Sequence, residues 1–498
     1  MGRCVAQITL RPSVRVGRIL RAMETPRTPL VDAVRAARAR RPRPMQIPGH
    51  KNRYVHEDTT AIGHEFLHDI IRDDVALQGG ADDNAFTHGF AEQAEALYAR
   101  AIGAAHTRFL VNGSSQGNIA ALLAVAEPGR PVAVDRTSHR SALAGLQMSG
   151  GLPEWVFPEI HPEFGLPTGV RPEALAGLSA NVSGVFVTAP AYVGTISDIQ
   201  ALAAVTDAMG VPLIIDQAWG AHLDFLSGTH GGAIRRGADV VVTSIHKTLL
   251  GYSQSATVSC GGRYVDAKRL DRAVDLTMTT SPSATLMASI DATRATMERY
   301  GAEALARAIA ATAAAKARLR TIPGLVVIDE AEIGSAVDPL KITLWLPRTG
   351  VMGSELAADL WQLGHGVESA DGDTIAMTVT VVDDAAFLLE VADKIAHIIE
   401  RRRGEARTPM PAQLWQIRPE VVVAPREALF APRRRVSMRE AIGQVSAEQF
   451  VPYPPGVPLL APGERVTAEI VEAIAVAGTV GRVSYCSDRS LQTIEILD

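Results

Sequence analysis

The segment Asp239–Tyr252 reads DVVVTSIHKTLLGY. Its first half, Asp239–Thr243, is a β-branched apolar run, the pattern of a strand buried on both faces of a sheet. The run gives way to Ser244-Ile245-His246-Lys247 and then to a Thr-Leu-Leu-Gly turn. A lysine just past the end of a buried strand is oddly placed for a surface charge. The chain holds six lysines against forty-three arginines, so a lysine kept here points to a role that arginine cannot fill. Arginine stays protonated, whereas a desolvated lysine can lose its proton and form a Schiff base. A lysine snorkelling from a strand end is the plain alternative.

Working outward, Val211–Asp216 (VPLIID) is a second buried-strand pattern, ending in an acid and followed by Gln217-Ala218-Trp219-Gly220-Ala221-His222. Asp216 precedes Lys247 by 31 residues, room for one crossover between neighbouring strands. An acid at one strand end and a lysine at the next is the pairing a pyridoxal phosphate (PLP) site needs. The acid keeps the pyridinium nitrogen protonated, and the lysine holds the cofactor. Taken alone, Asp216 also reads as a cap on a following helix.

The third element is Thr107–Val111, a strand, followed by Asn112-Gly113-Ser114-Ser115-Gln116-Gly117-Asn118 and an apolar helix from Ile119 to Ala126. Strand, Gly/Ser loop, helix N-terminus is an arrangement that receives phosphate through backbone N–H groups and the helix dipole. It is neither a Walker A loop nor a Rossmann fingerprint. Val132–Val134 leads into Asp135-Arg136-Thr137-Ser138-His139, where His139 is placed to stack on a pyridine face or to serve the structure alone. Lys51, in Ile47-Pro48-Gly49-His50-Lys51, is the minor candidate for the Schiff-base lysine.

Strands near residues 107, 131, 154, 184, 212, 239 and 255, with helices between most of them, predict an α/β domain with a mostly parallel seven-stranded sheet. Ligand groups at carboxyl strand ends fit the rule for such sheets. The expected organisation is a basic tail over 1–22, poorly ordered, and an N-terminal segment over 23–60. A PLP-binding large domain over 61–323, a small α+β subdomain over 324–402 and a C-terminal α+β domain over 411–498 follow. The proline-dense Tyr453–Glu464 reads as a rigid shaped surface in the last of these. Met23 is an alternative start.

Composition narrows the function classes. With 498 residues, 47% apolar and a net charge of -5, the chain reads as soluble and slightly acidic. Nucleic acid is not an expected partner, no apolar run approaches a membrane span, and no metal site is expected. Three scattered cysteines, Cys4, Cys260 and Cys486, fit a reducing cytoplasm.

In chain order, TPL at 28, PGHK at 48, NGSSQGN at 112, DRTSHRS at 135, DQAWGAH at 216, SIHKTLLGYSQSA at 244, TTSPS at 279 and PYPPGVPLLAPGE at 452 resemble the Orn/Lys/Arg decarboxylase family. The likeness covers roughly residues 25–498, in the short form without an N-terminal wing. It implies an aminotransferase-like, fold type I PLP enzyme that removes CO2 from arginine or lysine, with ornithine also open. Homodimers or larger homo-oligomers are implied.

By position, the resemblance assigns Lys247 to the Schiff base and Asp216 to the pyridinium. Ser114, Ser115, Gln116, Ser244 and His246 fall to the phosphate. His139 falls to one ring face, Ala218 to the other with Trp219 beside it, and Ser281 to the partner subunit's site. Glu440, Glu448 and Glu464 are candidates to read the basic end of the substrate. An aminotransferase on the same fold and a non-catalytic regulatory homologue are the alternatives.

Overall fold

A computed structural model describes residues 26–40, 48–51, 64–82, 89–226, 230–453, 457–480 and 482–498. The expected basic tail, the alternative start at Met23, and Pro454-Pro455-Gly456 lie outside the described residues.

The centre is a seven-stranded sheet. Its spatial order is His106–Leu110, Ala256–Cys260, Val240–Ser244, Leu213–Asp216, Val185–Thr188, Pro131–Asp135 and Leu152–Val156. Ala256–Cys260 runs antiparallel to both neighbours, and the other strand pairs are parallel. These are the seven strands expected from the apolar runs. The inner strands Val185–Thr188, Leu213–Asp216 and Val240–Ser244 lack polar alternation because the sheet is covered on both faces, whereas the edge strands His106–Leu110 and Leu152–Val156 carry Arg108 and Glu154 at partly exposed positions. Val132, Val134, Phe186, Ile214, Val240 and Val242 pack into one core, and Ala133, Val185, Val187, Leu213, Ile215 and Val241 into the other.

The parallel register sets the site. Asp216 lies opposite Val242 on one side and Thr188 on the other. Asp135, Thr188, Asp216 and Ser244 are each the last residue of a strand, so all four sit on one edge of the sheet.

The helix after the first strand corrects the sequence reading. It spans Gly113–Val125 rather than starting at Ile119, so the Gly/Ser stretch is its opening turns. Gly113, at φ +68°, turns the chain, and its N–H donates to the Gln254 carbonyl at 2.8 Å. One turn later Gly117 lets the helix backbone rest on the sheet. A Cβ there would fall 2.5 Å from Val242 Cγ1.

The helix Ala284–Arg320 has 37 residues, roughly 55 Å at 1.5 Å per residue, and runs from the large sheet to the small one. Its Ser283 cap oxygen accepts from the Leu286 N–H. On this helix the buried Arg294–Asp291 pair, at 2.6 Å, anchors the first described segment. Asp291 Oδ2 accepts from the Leu30 N–H at 3.1 Å, at the start of the helix Pro29–Arg40.

A four-stranded antiparallel sheet follows, built from Val326–Ile328, Lys341–Trp345, Thr374–Thr378 and Ser369–Ala370. It is tied to the large sheet region by Ala336–Val337 pairing with Thr195–Ile196. The Thr343 hydroxyl adds a bond to the Val193 carbonyl at 2.8 Å, and buried His222 meets Asp338 at 2.9 Å.

The last part of the chain packs around Phe450, Leu460, Val466, Ile470, Ile474, Ile494 and Ile496. It docks on the large domain through Glu464. Both oxygens of that carboxylate bind Arg136, at 2.5 and 3.0 Å, and the guanidinium lies 4.6 Å over the Trp155 ring. The three candidate glutamates are placed as follows. Glu464 is held by Arg136 and is buried. Glu448 accepts from Ser487 and from the Glu495 N–H within the C-terminal part. Exposed Glu440 caps Ser437. Glu464 and Glu448 are thus engaged within the chain through both oxygens, and Glu440 through Oε2.

Removing one partner of a buried ion pair leaves the other charge unmatched, at about 3–5 kcal/mol. Glu464→Ala is therefore expected to lower the unfolding free energy by that order, measured by urea denaturation with Trp155 among the fluorescence reporters. A loss under about 1 kcal/mol would show that the pair does not seat the C-terminal part.

Candidate active site

The strand Val240–Ser244 ends and turns at once into the single-turn helix Ile245–Thr248, which carries Lys247. Ile245 is fully buried and anchors this turn. The Lys247 ammonium nitrogen lies 4.0 Å from the centre of the Trp219 ring. Burial pushes its pKa below the usual lysine range, against the pull of Asp216 and Glu368. A larger share of Lys247 is thus a free amine, the form that attacks a carbonyl.

Asp216 is 1% exposed at the end of the neighbouring strand. Two donors fix it: Asn118 Nδ2 to Oδ2 at 2.7 Å and the Ala218 N–H to Oδ1 at 3.1 Å. Asn118 also donates to Ser141 Oγ at 2.9 Å, and that hydroxyl lies 2.8 Å from His139 Nδ1. A chain of bonds therefore runs Asp216–Asn118–Ser141–His139. It fixes the imidazole by Nδ1 and leaves Nε2 for the site. Burial, above all, lowers the His139 pKa. Asp216 pulls it up, while Lys247 and Arg140 push it down.

The sequence reading missed Asn118 and Ser141, although both lie inside motifs it quoted. Little in the sequence marks Asn118, which shares its helix with Ser114, Ser115 and Gln116; the fold shows its amide fully buried beside Asp216. It also passed over Asp135, which burial raises to about 6 and which Thr137 and the Thr188 N–H hold in place. Lys341 was missed as well. Its nitrogen is 4.3 Å from the same Trp219 ring that Lys247 faces.

Other expected residues fall as follows. Ser114 and Ser115 occupy the first turn of the helix Gly113–Val125, where Asn112 makes no side-chain cap. Gln116 is turned away, its amide 3.5 Å from Thr277 Oγ1 and from Met278 Sδ. His246 uses Nδ1 on the Ser255 carbonyl at 2.8 Å. The Ser244 hydroxyl is buried and, among the described residues, has no hydrogen-bond partner. Ala218 is buried behind Asp216. Ser281 is exposed, its N–H meeting Thr279, and is not brought to Lys247 within one chain. Lys51 is part of a turn at φ +52° and is not among the groups gathered around Asp216.

The donor set fits PLP. An oriented buried carboxylate suits a protonated ring nitrogen, and a desolvated amine suits the aldehyde carbon. An orphaned serine hydroxyl and an uncapped helix start suit a phosphate. Ser114, Ser115 and Ser244 are the residues that could hold that phosphate. Among the described residues, no cluster of histidine, cysteine or carboxylate side chains could hold a metal ion.

The fold is that of fold type I PLP enzymes. The L-threonine transaldolase of Pseudomonas fluorescens, solved in its internal aldimine state, superposes with a TM-score of 0.51 at 18% identity, covering 66% of this chain and 74% of that one. The Francisella novicida lysine decarboxylase LdcF gives 0.78 at 17% identity, over 95% of this chain and 81% of that one.

Sequence narrows the class. The Orn/Lys/Arg decarboxylase major domain matches residues 28–343, and the C-terminal domain of the same family matches 410–480. The chain belongs to the Orn/Lys/Arg decarboxylase family of PLP-dependent amino acid decarboxylases. An arginine decarboxylase of Halalkalibacterium halodurans is 29% identical over 468 residues, spanning 91% of this chain and 94% of that protein. No described helix is long and apolar enough to cross a membrane.

Asn118→Leu keeps the volume but removes the donor nearest Asp216. A buried carboxylate left one donor short costs about 1–3 kcal/mol. The expected result is a matching fall in the urea midpoint at an unchanged slope. An unchanged midpoint would show that Asn118 does not hold Asp216.

Proposed function

We propose that the protein binds PLP at the carboxyl edge of its large sheet and decarboxylates a basic L-amino acid. Arginine or lysine is favoured over ornithine, giving agmatine, cadaverine or putrescine with CO2. The observation that carries this is the placement of a half-buried, pKa-lowered Lys247 one strand from a buried, doubly hydrogen-bonded Asp216. Likeness to a relative named for arginine supports arginine first.

The bound cofactor would supply an electron sink for the pair released as CO2 departs. The chain's own groups do the rest. Lys247 would hold the cofactor through its aldehyde carbon, its lowered pKa favouring the free amine that such a bond needs. Asp216, held by Asn118 and Ala218, keeps a fixed negative charge against the ring nitrogen, which favours the protonated form there. Its burial excludes the water that would weaken that contact.

His139 would cover one face of the ring and Ala218 the other. Ser114, Ser115, Ser244 and His246 would hold the phosphate, and a turn of the Gln116 side chain would bring it in. Loss of CO2 requires a proton at Cα. His139, with Nδ1 tied to Ser141 and, among the described residues, no partner recorded at Nε2, and Lys247 are the two groups that would deliver it. Ser281, exposed in one chain, reaches the neighbouring site in a homodimer, and the enzyme works in the cytoplasm.

Purified protein supplied with PLP is expected to release CO2 from one of arginine, lysine and ornithine. Lys247→Ala is expected to lose both that release and the visible absorbance of the lysine-bound cofactor. Absorbance without release from any of the three would overturn the substrate assignment and leave the cofactor assignment standing.

A further inference from the structure

Lys341 lies on the strand Lys341–Trp345 of the small sheet and is 1% exposed. Its stem runs past Gly194, whose φ is +98° and where a Cβ would sit 2.7 Å from Lys341 Cγ. A glycine is required there to let the side chain through. The tip reaches the indole of Trp219, at 4.3 Å, beside Lys247 at 4.0 Å from the same ring. Two of the six lysines in an arginine-rich chain thus meet on one indole, brought from separate sheets.

The bonding of Lys341 is incomplete. An ammonium carries three donors. Among the described residues its recorded acceptor is Thr378 Oγ1, at 2.9 Å. Asp338 and Glu368 attract it from farther away, and Asp338 is held by His222 and the Leu340 N–H. Burial pushes the pKa down to about 8, which leaves the cationic form dominant at neutral pH. A buried cation with open donors is costly unless an anion completes it.

The substrate brings such an anion to this place. An α-amino acid carries its amine and its carboxylate on one carbon. When the amine takes over from Lys247, the carboxylate comes to rest within a few ångström of it. We propose that Lys341 binds the substrate α-carboxylate and sets the orientation of the bond that breaks. This inference rests on the decarboxylase reading above.

The residue type is informative. Arginine would clasp a carboxylate with two parallel bonds. That grip would stabilise the ground state of a group that must leave as neutral CO2. A lysine holds the carboxylate as a point charge. It can fix direction without a bidentate clasp, and Thr378 keeps its tip in place once the carboxylate has gone.

The test compares two ligands on the PLP-loaded enzyme: the amino acid substrate and its amine product, which lacks the carboxylate. Binding is read from the initial change in cofactor absorbance by stopped flow, before turnover, in wild type and in Lys341→Met. A lost charge-assisted contact predicts about a tenfold or greater loss of affinity for the amino acid. Affinity for the amine should change by less than about threefold. Retained amine binding also shows that the variant is folded and loaded. Equal losses for both ligands would make Lys341 a support for Trp219 and overturn the proposal, as would no loss for either. A wild-type enzyme that binds the amine but no basic amino acid would instead overturn the decarboxylase reading.

Discussion

Two opposite charges are taken out of water at the ends of adjacent parallel strands, and the rest of the structure depends on that. A carboxylate at Asp216 and an amine at Lys247 are each costly to bury. Each is tolerable because the other and a set of fixed donors are there. The parallel sheet supplies the placement, since every strand pointing one way ends on the same edge. The apolar runs leading to Asp216 and Lys247 hold both residues on a rigid base, which a surface loop could not provide.

The bonding partners of that edge come from elements far apart in the chain. Asn118 descends from the helix that Gly117 brings against Val242, and it links Asp216 to Ser141 and His139. The small sheet contributes Lys341 to the same indole that faces Lys247. The C-terminal part is seated by Glu464 on Arg136, one residue beyond the strand end at Asp135. Its glutamate thus supports the wall of the site.

Much of this was legible in the sequence. Inner parallel strands show as uninterrupted apolar runs, which made them and their shared edge readable, while the edge strands His106–Leu110 and Leu152–Val156 are interrupted by Arg108 and Glu154. Lys247 and Asp216 stood out because a charge at such a run's end needs a reason. The helix at Gly113 was harder. Serine, glycine and asparagine favour loops and caps in isolation, and here packing of Gly117 on the sheet overrides that preference. Lys341 was hidden for another reason. The rarity of lysine was used to single out Lys247, yet Lys341 sits at the start of its strand, and only the tertiary fold shows that it crosses to Trp219. The three glutamates illustrate the reverse case. An acid in a motif-like stretch is as apt to neutralise a local arginine or backbone donor as to face a ligand.

The account stands most directly on the identity of the lysine that carries the cofactor. Borohydride reduction of the PLP-loaded protein, followed by proteolysis and mass spectrometry, marks that lysine covalently. The account predicts a phosphopyridoxyl group on the peptide containing Lys247 and on no other. A label on Lys51 or on Lys341 would contradict it, as would no label at all.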